Sequence, residues 1–130
     1  MIPTARDKLF SGLVDGRGDI ALGNLTITPE RLKIVDFSDP FAIGVREIVV
    51  AGQNAPVLES LDDLAGQEVV VRPSSSYYES LVELNASLKK NSKKPVKLIP
   101  ADDSLEDEDL LEMVNAGLLP ATPTCEQIIL

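Results

Sequence analysis

Arg31 is the residue in this chain whose type and setting most directly indicate binding chemistry. It follows Thr28 and Pro29, which are typical of the cap and first residue of a short helix. A guanidinium presents a planar fork to both oxygens of a carboxylate, and Thr26 and backbone groups near Asn24 could complete such a site. Residue chemistry alone also allows a plainer interpretation, in which Thr28 is only a cap and Arg31 pairs with a neighbouring surface acid.

A second candidate lies where a predicted strand over residues 68–72 runs into three serines and then into a helix. The first N–H groups of a helix have no intrahelical acceptor and carry a partial positive charge, so this turn could hold a carboxylate or a phosphate. Ser75 and Ser76 would add hydroxyl groups, or would simply cap the helix. A phosphate-specific loop is not favoured, since neither a glycine-rich run nor a Gly-Lys-Ser/Thr motif is present.

The acidic run over residues 102–109 predicts a helix start and not a metal site. It lacks the central glycine and the alternating ligand spacing of a calcium loop, whereas acids suit the first turn of a helix that Ser104 would cap. Glycoside chemistry would need two carboxylates converging from different elements. One helix turn does not provide that arrangement.

Composition excludes several classes of function. The 130 residues include no histidine and one cysteine, which removes histidine-based triads, the usual zinc sites and an internal disulfide. A formal charge of −9 would repel nucleic acid and anionic lipid. No export signal and no apolar run of the roughly 20 residues that span a bilayer is present. We therefore expect no catalysis, no metal, no cofactor and no nucleic-acid partner.

Helical and strand patterns alternate along the chain, which indicates an α/β sheet with parallel crossovers. A capping box at Ser76-x-x-Glu79 should begin the best-specified helix, with Tyr77, Leu81, Leu84 and Leu88 on one face. A second unit should begin near residue 46. The predicted helices cover residues 6–14, a turn from 28, a turn at 58–64, 76 to about 90, and 104 to 117; the predicted strands cover 19–23, 46–51, 68–72 and 95–99.

The residues over 18–21, 24–31 and 35–41 together resemble the signature of family 3 extracellular solute-binding proteins, which bind polar amino acids for ABC importers. Residues 71–79 and 106–114 resemble more particularly the solute-binding-like domain of membrane-bound lytic murein transglycosylase F relatives. The resemblance extends to about Pro120.

The resemblance implies an α/β fold of the type II periplasmic-binding-protein class, with a partial first lobe plus most of a second lobe. Residues 1–44 would form the partial lobe and hinge, and residues 45–130 the second lobe without its return crossing. Arg31 would hold the ligand α-carboxylate, and the second lobe would close on it from the other side. The ligand-binding positions carried over are Asn24, Leu25, Thr26, Arg31, Arg72, Ser75 and Ser76.

The function implied is a periplasmic, non-catalytic solute-binding domain of ABC-transporter type for a small carboxylate, such as an amino acid or a peptidoglycan-derived peptide. Its partner would be an ABC permease. The alternatives are a regulatory portion of a lytic murein transglycosylase, whose catalytic domain would lie downstream, and an inactive truncated fragment.

Two departures from the family pattern bear on these alternatives. The family's first strand would precede Met1, and its aspartate for the ligand amine falls at about residues 122–125, where Thr-Pro-Thr-Cys stands. Recognition of an amine is therefore not expected to follow the family pattern. The chain from Ala121 onward departs from the family, which indicates a truncated or frame-altered product with exposed apolar edges that favour self-association.

Overall fold

The computed structural model describes residues 1–126 and contains two compact units, Met1–Gly44 and Val45–Leu130. Each unit has its own secondary structure. Within residues 1–126, no helix combines the length and apolar character needed to cross a membrane.

The first unit contains the two helical segments predicted from its sequence. A 3-10 turn over Arg6–Lys8 leads into α1, Leu9–Val14, and the chain leaves this helix at Gly16 with a φ of 71°, a conformation that favours glycine. The second helix, α2, spans Pro29–Leu32, and the Thr28 hydroxyl accepts from the Arg31 N–H at 3.3 Å. The predicted threonine cap with proline at the first helical position is confirmed.

The strand predicted over residues 19–23 is wrong. The segment pairs with no strand among the described residues, and Ile20 and Leu22 are 80% and 79% exposed. A short apolar run is held as a strand only when a neighbouring strand takes its N–H and C=O groups. Apolar composition alone was therefore insufficient evidence at this position.

The second unit has the order β1, β2, α3, β3, α4, β4. The bounds are β1 Glu47–Ala51, β2 Glu68–Val71, α3 Ser76–Lys90, β3 Lys97–Pro100, α4 Asp107–Asn115 and β4 Ala121–Cys125, with a 3-10 turn at Leu61–Leu64 before β2. Strands β2 and β3 pair in parallel with Val69 opposite Leu98, and α3 connects them. The predicted parallel crossover is confirmed for this pair.

An antiparallel pairing of β1 with β4 was not predicted. Its register places Pro123 opposite Val49, and flanking bonds join Gly52 N–H to the Pro120 carbonyl and Glu126 N–H to the Arg46 carbonyl. Hydrogen-bonded pairs alternate along an antiparallel ladder, so Pro123 falls at a non-bonded position. Its missing N–H therefore costs this ladder nothing.

Strand β4 also lies against β2. The Thr122 hydroxyl donates to the Val70 carbonyl at 3.0 Å, and Thr122 is fully buried. Residues 121–125 were predicted to begin a tail foreign to the family, whereas they form a buried strand of the second unit. Residues 127–130 of that predicted tail lie outside the described residues.

Two predicted helix caps are displaced along the chain. Ser75 and not Ser76 caps α3, since Ser75 has extended backbone and its hydroxyl accepts from the Tyr78 N–H at 3.3 Å, while Ser76 is already helical. Glu106 and not Ser104 caps α4, in a reciprocal box with Asp109. The Ser104 hydroxyl donates instead to Asp102 at 2.7 Å, within the preceding turn.

The core of the second unit forms where α3 packs on β2. The predicted helix face is confirmed, because Tyr77, Leu81 and Leu88 are buried and Leu84 packs against them. The Asn85 side chain donates to the Val96 carbonyl at 3.0 Å and accepts from the Val96 N–H at 2.7 Å, which holds the approach to β3. The buried apolar cluster comprises Leu64, Val69, Val71, Tyr77, Leu81, Leu88, Val96 and Ala121.

We expect the purified 130-residue chain to self-associate through the exposed apolar side chains of its first unit. Ile20, Leu22 and Ile34 are largely exposed, and apolar surface of this kind favours pairing between chains. Light scattering should show species larger than the monomer, and a double change of Ile20 and Leu22 to serine should reduce them. Serine at the equally exposed Val57 of the second unit is the control. A strictly monomeric chain with strongly protected amides over residues 19–37 would contradict this expectation.

Candidate functional site

The side chain of Arg31 is held in a defined orientation within the first unit. Its Nη1 donates to the Thr26 carbonyl at 2.8 Å, and its guanidinium carbon lies 5.0 Å from the centroid of the Phe10 ring. The side chain is half-buried. Contact with an aromatic face stabilises a cation more strongly where water is partly excluded. A guanidinium fixed in this way is suited to receive an anion.

Phe10 lies beneath the guanidinium of Arg31, a contact that the sequence did not predict. Its ring meets Phe37 edge-to-face, with centroids 6.2 Å apart and an interplanar angle of 61°. Such a pair fixes both rings, so the surface beneath Arg31 is itself positioned. No sequence spacing connects positions 10, 31 and 37. The only available signal was that Phe37 lies inside the family-like turn over residues 35–41.

Two arginines of the first unit, Arg6 and Arg31, hold the loop that precedes α2. Arg6 Nη2 donates to the Asn24 carbonyl at 3.2 Å, and Arg31 donates to the Thr26 carbonyl. Within the loop, the Leu25 N–H donates to the Gly23 carbonyl at 3.0 Å. A carbonyl oxygen has two lone pairs, so each can accept a second donor. The loop residues Asn24, Leu25 and Thr26 thus precede α2, and Arg31 of α2 donates back to the Thr26 carbonyl.

Arg72 occupies a very different environment in the second unit. Its side chain is 2% exposed, and its Nη2 donates to Oδ1 of Asp107, which is also 2% exposed. The Tyr77 hydroxyl donates to Oδ2 of the same carboxylate at 3.1 Å. Buried charges are tolerated when they are paired and hydrogen-bonded, and this arrangement meets both conditions. Sequence reasoning missed Asp107 and Tyr77 as partners of Arg72.

Ser75 and Ser76 stand at the N-terminus of α3, next to Arg72. The Ser75 hydroxyl donates to the Arg72 carbonyl at 2.8 Å and accepts from the Tyr78 N–H. The N–H groups of Ser76 and Tyr77 precede the first intrahelical bond, as in any α-helix. They are the groups of this helix end that could meet an anionic ligand.

The acidic run has three distinct roles in the structure. Asp102 accepts from the N–H and hydroxyl of Ser104, and these bonds hold the pKa of Asp102 below its usual range. Asp103 accepts from the N–H and hydroxyl of Ser74 at 3.0 and 2.7 Å. Asp107 enters the buried contact with Arg72. The predicted dipole-matched helix start is present, and the run also holds the turn before α3.

A groove of about 390 Å³ lies elsewhere in the second unit, where β1 ends and β2 and β4 begin. Its walls include Gly52, Leu58, Glu68 and Leu119. None of the residues predicted from sequence to bind ligand lines it. The groove therefore stands apart from the candidate site.

The fold and these contacts define an α/β solute-binding domain of the type II periplasmic-binding-protein class. The model of bacterial extracellular solute-binding proteins, family 3, matches residues 1–124, and the chain belongs to this family. The match extends past Pro120, so the predicted end of the resemblance was placed too early. All four additional residues, 121–124, lie in strand β4.

Individual relatives share parts of the chain. The L-cystine-binding protein TcyJ of Escherichia coli is 34% identical over 79 residues, which are 61% of this chain and 30% of that protein. Membrane-bound lytic murein transglycosylase F of Shewanella pealeana is 30% identical over 115 residues, which are 88% of this chain and 22% of that protein. The chain thus spans less than one third of either relative.

Solved structures show the same fold. An ancestral arginine-binding protein bound to arginine matches with a TM-score of 0.77 and 26% identity. The match covers 98% of this chain and 52% of that one. The chain therefore corresponds to about half of that structure.

Alkaline titration should show that Tyr77 keeps its proton while the protein is folded. Burial, the negative charge of Asp107 and the nearby Cys125 thiol raise the pKa of Tyr77 far above that of a free phenol. Above a pH of about 10 the unfolded chain loses this proton and the folded chain does not, so stability falls as pH rises. In a Tyr78→Phe variant, where Tyr77 is the only tyrosine, tyrosinate absorbance should appear together with loss of circular dichroism. Titration near pH 10 in the folded protein would contradict this.

Proposed function

We propose that this chain is a non-catalytic solute-binding domain whose ligand is a small carboxylate of the amino-acid type. The observation that carries the proposal is the guanidinium of Arg31, held by the Thr26 carbonyl and the Phe10 ring. A fork-shaped cation with a fixed orientation loses little entropy when it pairs with a carboxylate.

The surroundings of Arg31 favour a planar anion. The guanidinium carbon of Arg31 lies over the Phe10 ring, 5.0 Å from its centroid, and the planar fork of N–H bonds on a guanidinium matches the two oxygens of a carboxylate. The half-buried position of the side chain strengthens the pairing relative to a fully exposed arginine.

The ligands named for the relatives support an amino acid. One relative is called an L-cystine-binding protein, and one structure of this fold holds arginine in an ancestral arginine-binding protein. We infer that free amino acids are the first ligands to test. We further propose a location outside the cytoplasm and an ABC permease as partner, in line with the family's description as extracellular.

The second unit offers its own donors for an anion. Ser75 and Ser76 are buried, and the helix end they form presents backbone N–H groups. We propose that these N–H groups contribute more than either hydroxyl, because the Ser75 hydroxyl is already engaged in capping α3.

Replacing Arg31 by alanine should weaken ligand binding by about 2–5 kcal/mol, the usual loss when one member of a desolvated charge pair is removed. Titration calorimetry with L-arginine, L-glutamine and L-cystine measures this change. Arg17→Ala is the matched control, since Arg17 is exposed, follows α1 and removes the same charge. An unchanged dissociation constant in the Arg31 variant would rule out its proposed role.

Replacing Ser75 or Ser76 by glycine should cost less affinity than replacing Arg31. Glycine keeps the backbone N–H groups at both positions, and at the Ser75 cap it costs only a few tenths of a kcal/mol of stability. The same calorimetric titrations compare the three variants. Should either serine change be the more damaging, the hydroxyl groups and not the N–H groups carry the second unit's contribution.

A second candidate function is a regulatory module of a lytic murein transglycosylase. The observation that favours it is 30% identity to the Shewanella transglycosylase over 88% of this chain. The ligand would then be a peptidoglycan-derived peptide, and catalysis would belong to another domain. Titration with a purified murein tetrapeptide beside L-arginine separates the two candidates, because a regulatory module should bind the peptide more tightly than the free amino acid.

A further inference from the structure

We propose that Asp107 is a positioning residue for ligand binding: its carboxylate holds Arg72 and Tyr77 and thereby fixes the N–H groups at the start of α3. This inference rests on the proposed function, because it assigns a role to residues that act on the second unit's anion-binding groups.

The contacts of Asp107 join three elements of the second unit. Arg72 follows the end of β2, Tyr77 lies in the first turn of α3, and Asp107 is the first residue of α4. Arg72 and Asp107 are almost completely buried, so water does not compete for their pairing. A displacement of Asp107 would therefore move both ends of the turn that leads into α3.

A second acid supports the same turn from the same side. Asp103 accepts from the N–H and hydroxyl of Ser74, and the Ser75 hydroxyl donates to the Arg72 carbonyl. The turn between β2 and α3 is thus attached at Ser74 to the segment before α4 and at Arg72 to the first residue of α4. Hydrogen bonds weaken steeply when their angles depart from linear, so anion binding by the N–H groups of α3 depends on this attachment.

The charge of Arg72 is balanced inside the protein. The Asp107 carboxylate forms a buried ion pair with the Arg72 guanidinium. Separating the two groups would leave an uncompensated buried charge. In this proposal Arg72 affects ligand binding by fixing the geometry of the turn between β2 and α3. Its positive charge does not itself attract the ligand. This predicts that loss of Asp107 weakens carboxylate binding even though it removes a negative charge.

The test compares Asp107→Asn with Glu108→Gln, which neutralises an exposed acid in the same helix turn. Affinities for L-arginine and for agmatine, its decarboxylated amine, are measured by calorimetry at a temperature where circular dichroism shows each variant fully folded. We expect Asp107→Asn to weaken L-arginine binding roughly 10- to 100-fold, as for the loss of one charged hydrogen bond, with agmatine unaffected. Glu108→Gln should change neither ligand.

Two results would overturn the proposal. An equal loss for both ligands would show that Asp107 only maintains the fold, and tighter L-arginine binding would show that Asp107 competes with the ligand for Arg72. Tyr77→Phe keeps the ion pair and removes one contact of Asp107, so it provides a milder variant should Asp107→Asn fail to fold. It should produce the same selective loss at smaller magnitude.

The positioning role of Asp107 can be tested even if the proposed function is wrong. If the wild-type chain binds neither ligand, the amide chemical shifts and hydrogen exchange of Ser76, Tyr77 and Tyr78 are compared between Asp107→Asn and Glu108→Gln. Changes confined to these amides in the Asp107 variant support the positioning role. Unchanged amides would overturn it independently of any ligand.

Discussion

The second unit is organised around one buried ion pair. Arg72 and Asp107 are 35 residues apart in sequence, and together they occupy a site with almost no water. Two charges in such a place are tolerated only when each compensates the other and the remaining oxygen finds a donor, which Tyr77 supplies. The end of β2 and the starts of α3 and α4 are therefore constrained to meet at this point.

The ion pair lies at the N-terminus of α3, where Ser75 and Ser76 are also buried. Most of the apolar cluster lies along α3 and β2, where Leu81, Leu88 and Val69 pack together. At the helix start the same face continues through Tyr77, whose ring belongs to the core and whose hydroxyl belongs to the ion pair. The helix is consequently held by packing along its length and by hydrogen bonds at its N-terminus.

Sequence patterns such as helix caps and apolar periodicity predicted local structure. They did not predict contacts between residues distant in sequence. The Thr28-Pro29 start of α2 and the buried face of α3 were predicted because each depends on residues within one or two turns. The pairing of Arg72 with Asp107 and the contact of Arg31 with Phe10 depend on tertiary structure, which no periodicity records. Strand β4 was missed because the chain from Ala121 was expected to depart from the family pattern, and because its pairing with the distant β1 is a tertiary contact.

The two arginines assigned to a ligand from sequence are distinguished by what they contact. Arg72 is committed to a carboxylate inside the protein, and exchanging that partner for a ligand would require a buried charge to be left unpaired. Arg31 lies over the Phe10 ring, which stabilises a cation, and its Nη1 donates to the backbone carbonyl of Thr26. Pairing Arg72 with a ligand carboxylate would require displacing Asp107, and we therefore place the proposed ligand contact at Arg31. The same side-chain chemistry thus serves internal organisation in the second unit and, in the function proposed here, ligand binding in the first.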